Sequence, residues 1–197
     1  MSKYYTMNEL YPVFLKVSDL KTLIVGGGAV GLEKLSFLLK SSPNAKVMLV
    51  AKEVCKEIRD LAIGMDVDIH EEAYQEHHLE GVQVVIAATD DLEVNLAVRK
   101  DAKLRNILVN VADNPPYCDF YMGGIVTKGN LKIAISTNGK SPTLAKRLRQ
   151  FFENLLPENV DELLENLDAY RKTLKGNFQD KVDHLNELTK GMLDKQQ

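Results

Sequence analysis

Short runs of β-branched apolar residues alternate with longer segments of helical period through about residue 112, and this alternation most narrows the folds open to the chain. Thr22-Leu23-Ile24-Val25, Lys46-Val47-Met48-Leu49-Val50, Val82-Gln83-Val84-Val85-Ile86-Ala87-Ala88 and Ile107-Leu108-Val109-Asn110-Val111 read as strands. The third is nearly continuous in apolar residues, as a strand covered on both faces must be. Between the first two, Val30, Leu32, Leu35, Leu38 and Leu39 recur at helical spacing, and Ser41-Ser42-Pro43-Asn44 stops the helix. A second helix carries Leu92, Leu96, Val98 and Leu104, with Asp90 or Asp91 as its N-cap. The expected fold class is therefore α/β, a Rossmann-like parallel-sheet domain.

The texture changes at Asp113. Asp113-Asn114-Pro115-Pro116-Tyr117 excludes a regular helix and a central strand, because two successive prolines remove two backbone donors. Beyond it, Ile125-Val126 and Leu131-Lys132-Ile133-Ala134-Ile135 flank Thr127-Lys128-Gly129-Asn130, the pattern of a β-hairpin. Ser141-Pro142 then opens a helix, with Ser as N-cap and Pro at the first helical position. Two further helical segments follow Pro157, marked by Val160, Leu163, Leu164 and Leu167, then by Val182, Leu185 and Leu188. Three parts are expected: a domain over 1–113, a small β/α segment over 114–145 and a helical C-terminal domain over 146–197.

The 197 residues are 45% hydrophobic and 27% charged, in keeping with a soluble globular chain. No apolar run approaches the roughly 20 residues that span a bilayer. Residues 1–10 lack the apolar stretch of a secretory signal, so a cytoplasmic location is expected, with no membrane partner. Cys55 and Cys118 stand far apart without CxxC spacing and read as free thiols. A formal net charge of -3 argues against nucleic acid as a partner. The segment Lys140 to Arg149 nevertheless holds Lys140, Lys146, Arg147 and Arg149 and no acid, which marks a local anion site.

Gly26-Gly27-Gly28-Ala29-Val30-Gly31 follows the first strand and opens the first helix. In that setting GxGxxG is a dinucleotide fingerprint: Gly26 permits the turn, Gly28 admits the pyrophosphate, and Gly31 allows close packing. Ala29 and Val30 contribute N–H groups at the helix N-terminus, where phosphate is favoured. The acidic residue that binds the adenine ribose belongs at the end of the second strand, where Ala51, Lys52 and Glu53 follow Val50. Glu53 either reaches the ribose or begins the next helix, and Lys52 would suit a 2'-phosphate, so these residues leave NAD or NADP open. Ala87-Ala88-Thr89-Asp90-Asp91 ends a buried strand, the position where open α/β sheets bind ligands; Thr89 and Asp90 are candidates there, or the aspartates only cap a helix.

Tyr11-Pro12-Val13-Phe14-Leu15, Leu23-Ile24-Val25-Gly26-Gly27-Gly28, Ile86-Ala87-Ala88-Thr89-Asp90-Asp91, Asn110-Val111-Ala112-Asp113 and Ser136-Thr137-Asn138-Gly139-Lys140-Ser141-Pro142, in this order, resemble the siroheme synthase family. Within that family the resemblance is to its precorrin-2 dehydrogenases, from about Tyr11 to about Leu156. It implies NAD as cofactor and oxidation of precorrin-2 to sirohydrochlorin, followed in some members by insertion of ferrous iron. It also implies a homodimer in which the segment after Asp113 intertwines with its partner. A competing class is a regulatory module that senses NAD(H) without turnover.

Such a reaction removes a hydride and a proton from a macrocycle ringed by carboxylates. Asp113, just past the last α/β strand, corresponds to the family's general base; read from its residues alone, it equally forms a turn before Pro115 and Pro116. Ser136, Thr137, Asn138, Lys140, Ser141, Lys146 and Arg147 offer hydroxyls, N–H groups and cations for the carboxylates, or are in part a solvated helix face. No metal-ligand cluster is evident. His77 and His78 are adjacent and do not easily converge on one ion, while His70 and His184 stand apart, and each reads as a surface residue.

Overall fold

The computed structural model describes residues 8–190; most of the N-terminal stretch read for a secretory signal lies outside the described residues. One compact unit runs to Gly123 and takes in Ser136–Pro142. The other comprises Gly124–Ile135 and the chain from Thr143 onward.

The first unit is built on β1 (Lys21–Val25), β2 (Lys46–Val50), β3 (Val67–His70), β4 (Val84–Ala87) and β5 (Leu108–Val111), joined by α1 (Ala29–Ser41), α2 (Lys56–Ala62) and α3 (Leu92–Leu104). All four pairings are parallel, in the order β3-β2-β1-β4-β5. The order reverses between β1 and β4, which opens a crevice at the carboxyl ends of those two strands.

Successive side chains on a strand point to opposite faces, and here each face has its own core. Ile24, Leu49, Ile86 and Ala88 join Leu35 and Leu39 of α1 and Ile58 of α2 on one side. Leu23, Val25, Val85, Ala87, Val109 and Val111 join Val98 and Ala102 of α3 on the other. The nearly continuous apolar run in β4 thus follows from a strand buried at every residue.

Two elements had no clear sequence signal. β3 is a four-residue edge strand with no fully buried position, and α2 has seven residues and one buried side chain, Ile58. For α3 the inward face consists of Asn95, Val98 and Ala102, whereas Leu92 and Leu104, taken from sequence as its apolar face, are 46% and 74% exposed. The N-cap is Asp91, whose carboxylate accepts from the N–H groups of Glu93 and Val94 at 2.9 and 3.3 Å.

In the second unit, β6 (Gly124–Lys128) and β7 (Leu131–Ile135) form the expected hairpin, with Lys128 opposite Leu131 and Gly129-Asn130 as a two-residue turn. The turn is held by Asp161, which accepts from Asn130 N and Nδ2 at 2.6 and 2.9 Å. Lys128 Nζ donates to the Leu156 carbonyl at 2.9 Å and pairs with Glu158 at 2.6 Å. Helices α4 (Pro142–Leu155), α5 (Val160–Thr173) and α6 (Phe178–Thr189) match the sequence reading, with Pro142 the first residue of α4. Among the described residues no helix is long and apolar enough to cross a membrane.

Candidate nucleotide and substrate site

The glycine loop lies at the crevice between β1 and β4. Gly26 has φ +132°, and a Cβ there would stand 2.3 Å from the Ala88 carbonyl oxygen, so only glycine lets the two loops touch. A Cβ on Gly31 would stand 2.1 Å from the Gly26 carbonyl oxygen. Its role is to fold the helix start onto the loop. Gly28 differs: it is exposed, and nothing lies within 4 Å of the position of a Cβ. As N-cap of α1 it offers no side-chain cap, so the first N–H groups of the helix, at Ala29, Val30 and Gly31, face a space that an anion can enter.

Two loops close on this turn. A Cβ on Gly27, a residue not singled out from sequence, would stand 2.1 Å from the Glu53 carbonyl oxygen, and Cys55 N donates to Gly27 O at 2.9 Å. Glu53 is therefore beside the glycine loop, with an exposed side chain, as is that of Lys52. On the β4 side, Thr89 Oγ1 lies 2.8 Å from Asn95 Oδ1 and 2.9 Å from the Asp91 carbonyl oxygen. Asn95 also accepts from Thr89 N at 3.1 Å and donates to Thr89 O at 2.9 Å. Only 3% exposed, Asn95 holds the Thr89 loop, and the sequence, read for a face through Leu92, Leu96, Val98 and Leu104, did not mark it. Asp90 is exposed on the same loop.

Asp113 stands one strand further along the rim, past β5. It is exposed, with φ +57°, in a turn closed by Asn114 N donating to the Val111 carbonyl at 3.1 Å. The turn is thus made by backbone, with Asn114 Nδ2 adding a bond to Ala112 O at 2.9 Å. The segment 136–142 reaches the same region: a Cβ on Gly139 would stand 3.7 Å from Pro115 Cγ. Thr137 Oγ1 accepts from Ser141 N at 3.2 Å and donates to Ser141 O at 3.1 Å, while Asn138 N donates to Ser136 Oγ at 3.2 Å. Ser136 and Lys140 are exposed on this loop. Lys146 and Arg147 are exposed on the part of α4 in the second unit.

Two expectations about the histidines fail, that His78 is a surface residue and that His70 stands apart. His78 is buried at 3% exposure, and His70 lies beside it with ring centroids 6.1 Å apart. The seven residues between them in sequence hid this contact. His184, placed on α6, meets Tyr170 Oη at 2.8 Å. Cys55 and Cys118 are free thiols, as expected, and burial pushes the Cys118 thiol up from its usual pKa.

A family model described as putative NAD(P)-binding matches residues 13–124, more than half of the chain. The chain belongs to this NAD(P)-binding family. A second model, for the central part of sirohaem biosynthesis proteins, matches residues 128–155. Proteins similar to this chain include the siroheme synthases of Pseudoalteromonas translucida (38% identical over 175 residues, 89% of this chain and 37% of the relative) and Pseudoalteromonas atlantica (36% over 170 residues, 86% and 36%). That of Chromobacterium violaceum is 36% identical over 172 residues, 87% of this chain and 36% of the relative. The chain thus spans about a third of the length of the curated relatives it matches. Among solved structures, SirC, a precorrin-2 dehydrogenase, superposes with a TM-score of 0.74 at 25% identity, over 91% of this chain and 89% of that one. The resemblance drawn from the motifs is therefore carried by sequence and by fold.

Proposed function

We propose that this protein is an NAD-dependent dehydrogenase that oxidises precorrin-2 to sirohydrochlorin. One observation carries the reading: the glycine loop, the Thr89 loop, the Asp113 turn and the segment 136–142 all stand along the carboxyl rim of one sheet, in a chain similar to siroheme synthases and to SirC. The open space at Gly28 and the uncapped start of α1 fit a dinucleotide pyrophosphate. Gly26, Gly28, Ala29, Val30 and Gly31 hold it, Glu53 takes the adenine ribose in keeping with NAD, and Thr89 and Asp90 border the nicotinamide half. When bound, NAD supplies the hydride acceptor.

The chain's own residues supply the rest. Asp113 takes the proton that leaves the macrocycle, a task suited to an exposed carboxylate on a turn whose backbone is left-handed at that residue. Ser136, Thr137, Asn138, Lys140 and Ser141, with Lys146 and Arg147, bind the substrate's carboxylates through hydroxyls, N–H groups and cations. The working molecule is a cytoplasmic homodimer. Leu144, Leu148, Phe151 and Leu155 recur at i, i+4, i+7 and i+11 on α4, and Leu144, Phe151 and Leu155 are 49%, 57% and 61% exposed. Such a stripe supports burial against a second copy.

Purified protein given precorrin-2 and NAD is expected to produce NADH continuously, with the absorption spectrum of sirohydrochlorin appearing in step. Tight NADH binding without turnover would mean a regulatory module. Adding ferrous or cobalt ions to the same mixture tests metal insertion, the second activity of some relatives in the implied family.

A further inference from the structure

Outside the proposed nucleotide and substrate site, the described residues contain one cluster whose atoms are arranged for a cation. His70 is the last residue of β3, and Glu72 follows it by two positions. His78 comes from a 3-10 turn over Glu76–Leu79. Its Nε2 lies 3.2 Å from Glu72 Oε1, and His70 Nδ1 lies 3.8 Å from the same oxygen. One ligand atom from each residue falls within 4.8 Å of the others. Bonds of about 2.0–2.2 Å in a tetrahedral set put neighbouring ligand atoms roughly 3.4 Å apart, so small side-chain shifts close this set on an ion.

The outer partners point the same way. A metal-binding imidazole donates its second ring N–H to a carboxylate or a backbone carbonyl, which fixes the tautomer and frees the other nitrogen. His70 Nε2 lies 2.8 Å from Asp68 Oδ2, leaving Nδ1 toward Glu72. His78 Nδ1 lies 3.0 Å from both the amide nitrogen and the carbonyl oxygen of Gln75. Its tautomer therefore follows whatever Nε2 meets: a carboxylate alone draws the proton to Nε2, while a cation there sends it to Nδ1 and the Gln75 carbonyl. Burial of His78 fixes one ligand in place. The Glu72 side chain, 46% exposed, leaves a path for entry.

We propose that His70, Glu72 and His78 bind one divalent transition-metal ion through two imidazoles and a carboxylate. This donor set suits zinc, cobalt, nickel or copper and is poor for calcium or magnesium, which take oxygen ligands. Three protein ligands leave at least one position for water or another small donor. The ion ties the edge strand β3 to the 3-10 turn and uses none of the residues assigned to the nucleotide or the macrocycle.

The test is a titration of tag-free, metal-free full-length protein with Co²⁺, followed by its visible ligand-field absorption and by displacement with Zn²⁺. One equivalent should give the strong bands of a four- or five-coordinate ion, lost on adding zinc. His70→Ala and Glu72→Gln, both at partly exposed positions and checked for fold by circular dichroism, should each weaken binding more than tenfold. Asp68→Asn, which removes only the outer partner, should weaken it by about ten- to a hundredfold. His77→Ala should leave it unchanged. Absence of the bands in the unaltered protein would overturn the proposal, as would bands that survive both His70→Ala and Glu72→Gln, or that vanish in His77→Ala.

Discussion

Gly28 and Asp113 are single residues whose backbone settings decide what a substitution will report. Gly28 has ordinary φ and open space where a Cβ would go, so Gly28→Val should fold normally. Its side chain would occupy the phosphate position, and NAD affinity should fall at least tenfold by fluorescence titration with the melting temperature little changed. Asp113, at φ +57°, is a different case: alanine there carries a left-handed backbone cost on the order of 1 kcal/mol, whereas asparagine tolerates the conformation. Asp113→Asn therefore isolates the carboxylate. Dehydrogenation by this variant should fall by two or more orders of magnitude with NAD affinity retained. Full activity in the asparagine variant would reduce Asp113 to a turn former. For Cys118, burial raises the thiol pKa, so the folded state keeps a proton that the unfolded chain loses from about pH 8.5 upward. The contribution is present below that value and declines as pH rises toward the folded pKa. Iodoacetamide at pH 8 to 9 should accordingly label Cys118 much faster in urea than in the native protein, as read by mass spectrometry.

Elements position these residues through few bonds. Helix α3 does so with Asn95, which makes three hydrogen bonds to the Thr89 backbone and hydroxyl from a buried setting. Asn95→Ala leaves the Thr89 loop without them and should cost about 1–3 kcal/mol, a drop of several degrees in a thermal melt. NAD binding should weaken with it, because the Ala88-Thr89 backbone is what Gly26 packs against. An unchanged melting temperature would mean that the Thr89 loop holds its shape by itself. The edge element β3 pairs with β2 alone, through Val47↔Val67 to Val50↔His70. It is accordingly the strand on which an added metal ligand set would have most effect.

For the whole molecule, the apolar stripe of α4 sets the expected oligomeric state. Sedimentation velocity should give a dimer, and Phe151→Glu combined with Leu155→Glu should shift it to monomer while the signature of the α/β sheet remains. A monomer in the unaltered protein would remove the second copy from the proposed function.

The α/β class, four of the five parallel strands, the glycine loop and the hairpin were legible in the sequence because each rests on local pattern: period, β-branching, turn chemistry and glycine at fixed offsets. Local rules also placed Pro142 at the start of α4. They failed where packing against neighbours replaces pattern. The edge strand β3 and the short helix α2 bury too little apolar surface to mark themselves, and the inner face of α3 turned on which side chains the sheet covers, which left Leu104 outside and Asn95 within. Which of two aspartates capped α3 depended on the direction of its first N–H groups. The nearness of Gly27 to Glu53, of Gly139 to Pro115 and of His70 to His78 came from strand order and loop paths, since residues far apart in the chain become neighbours only when the sheet aligns their ends.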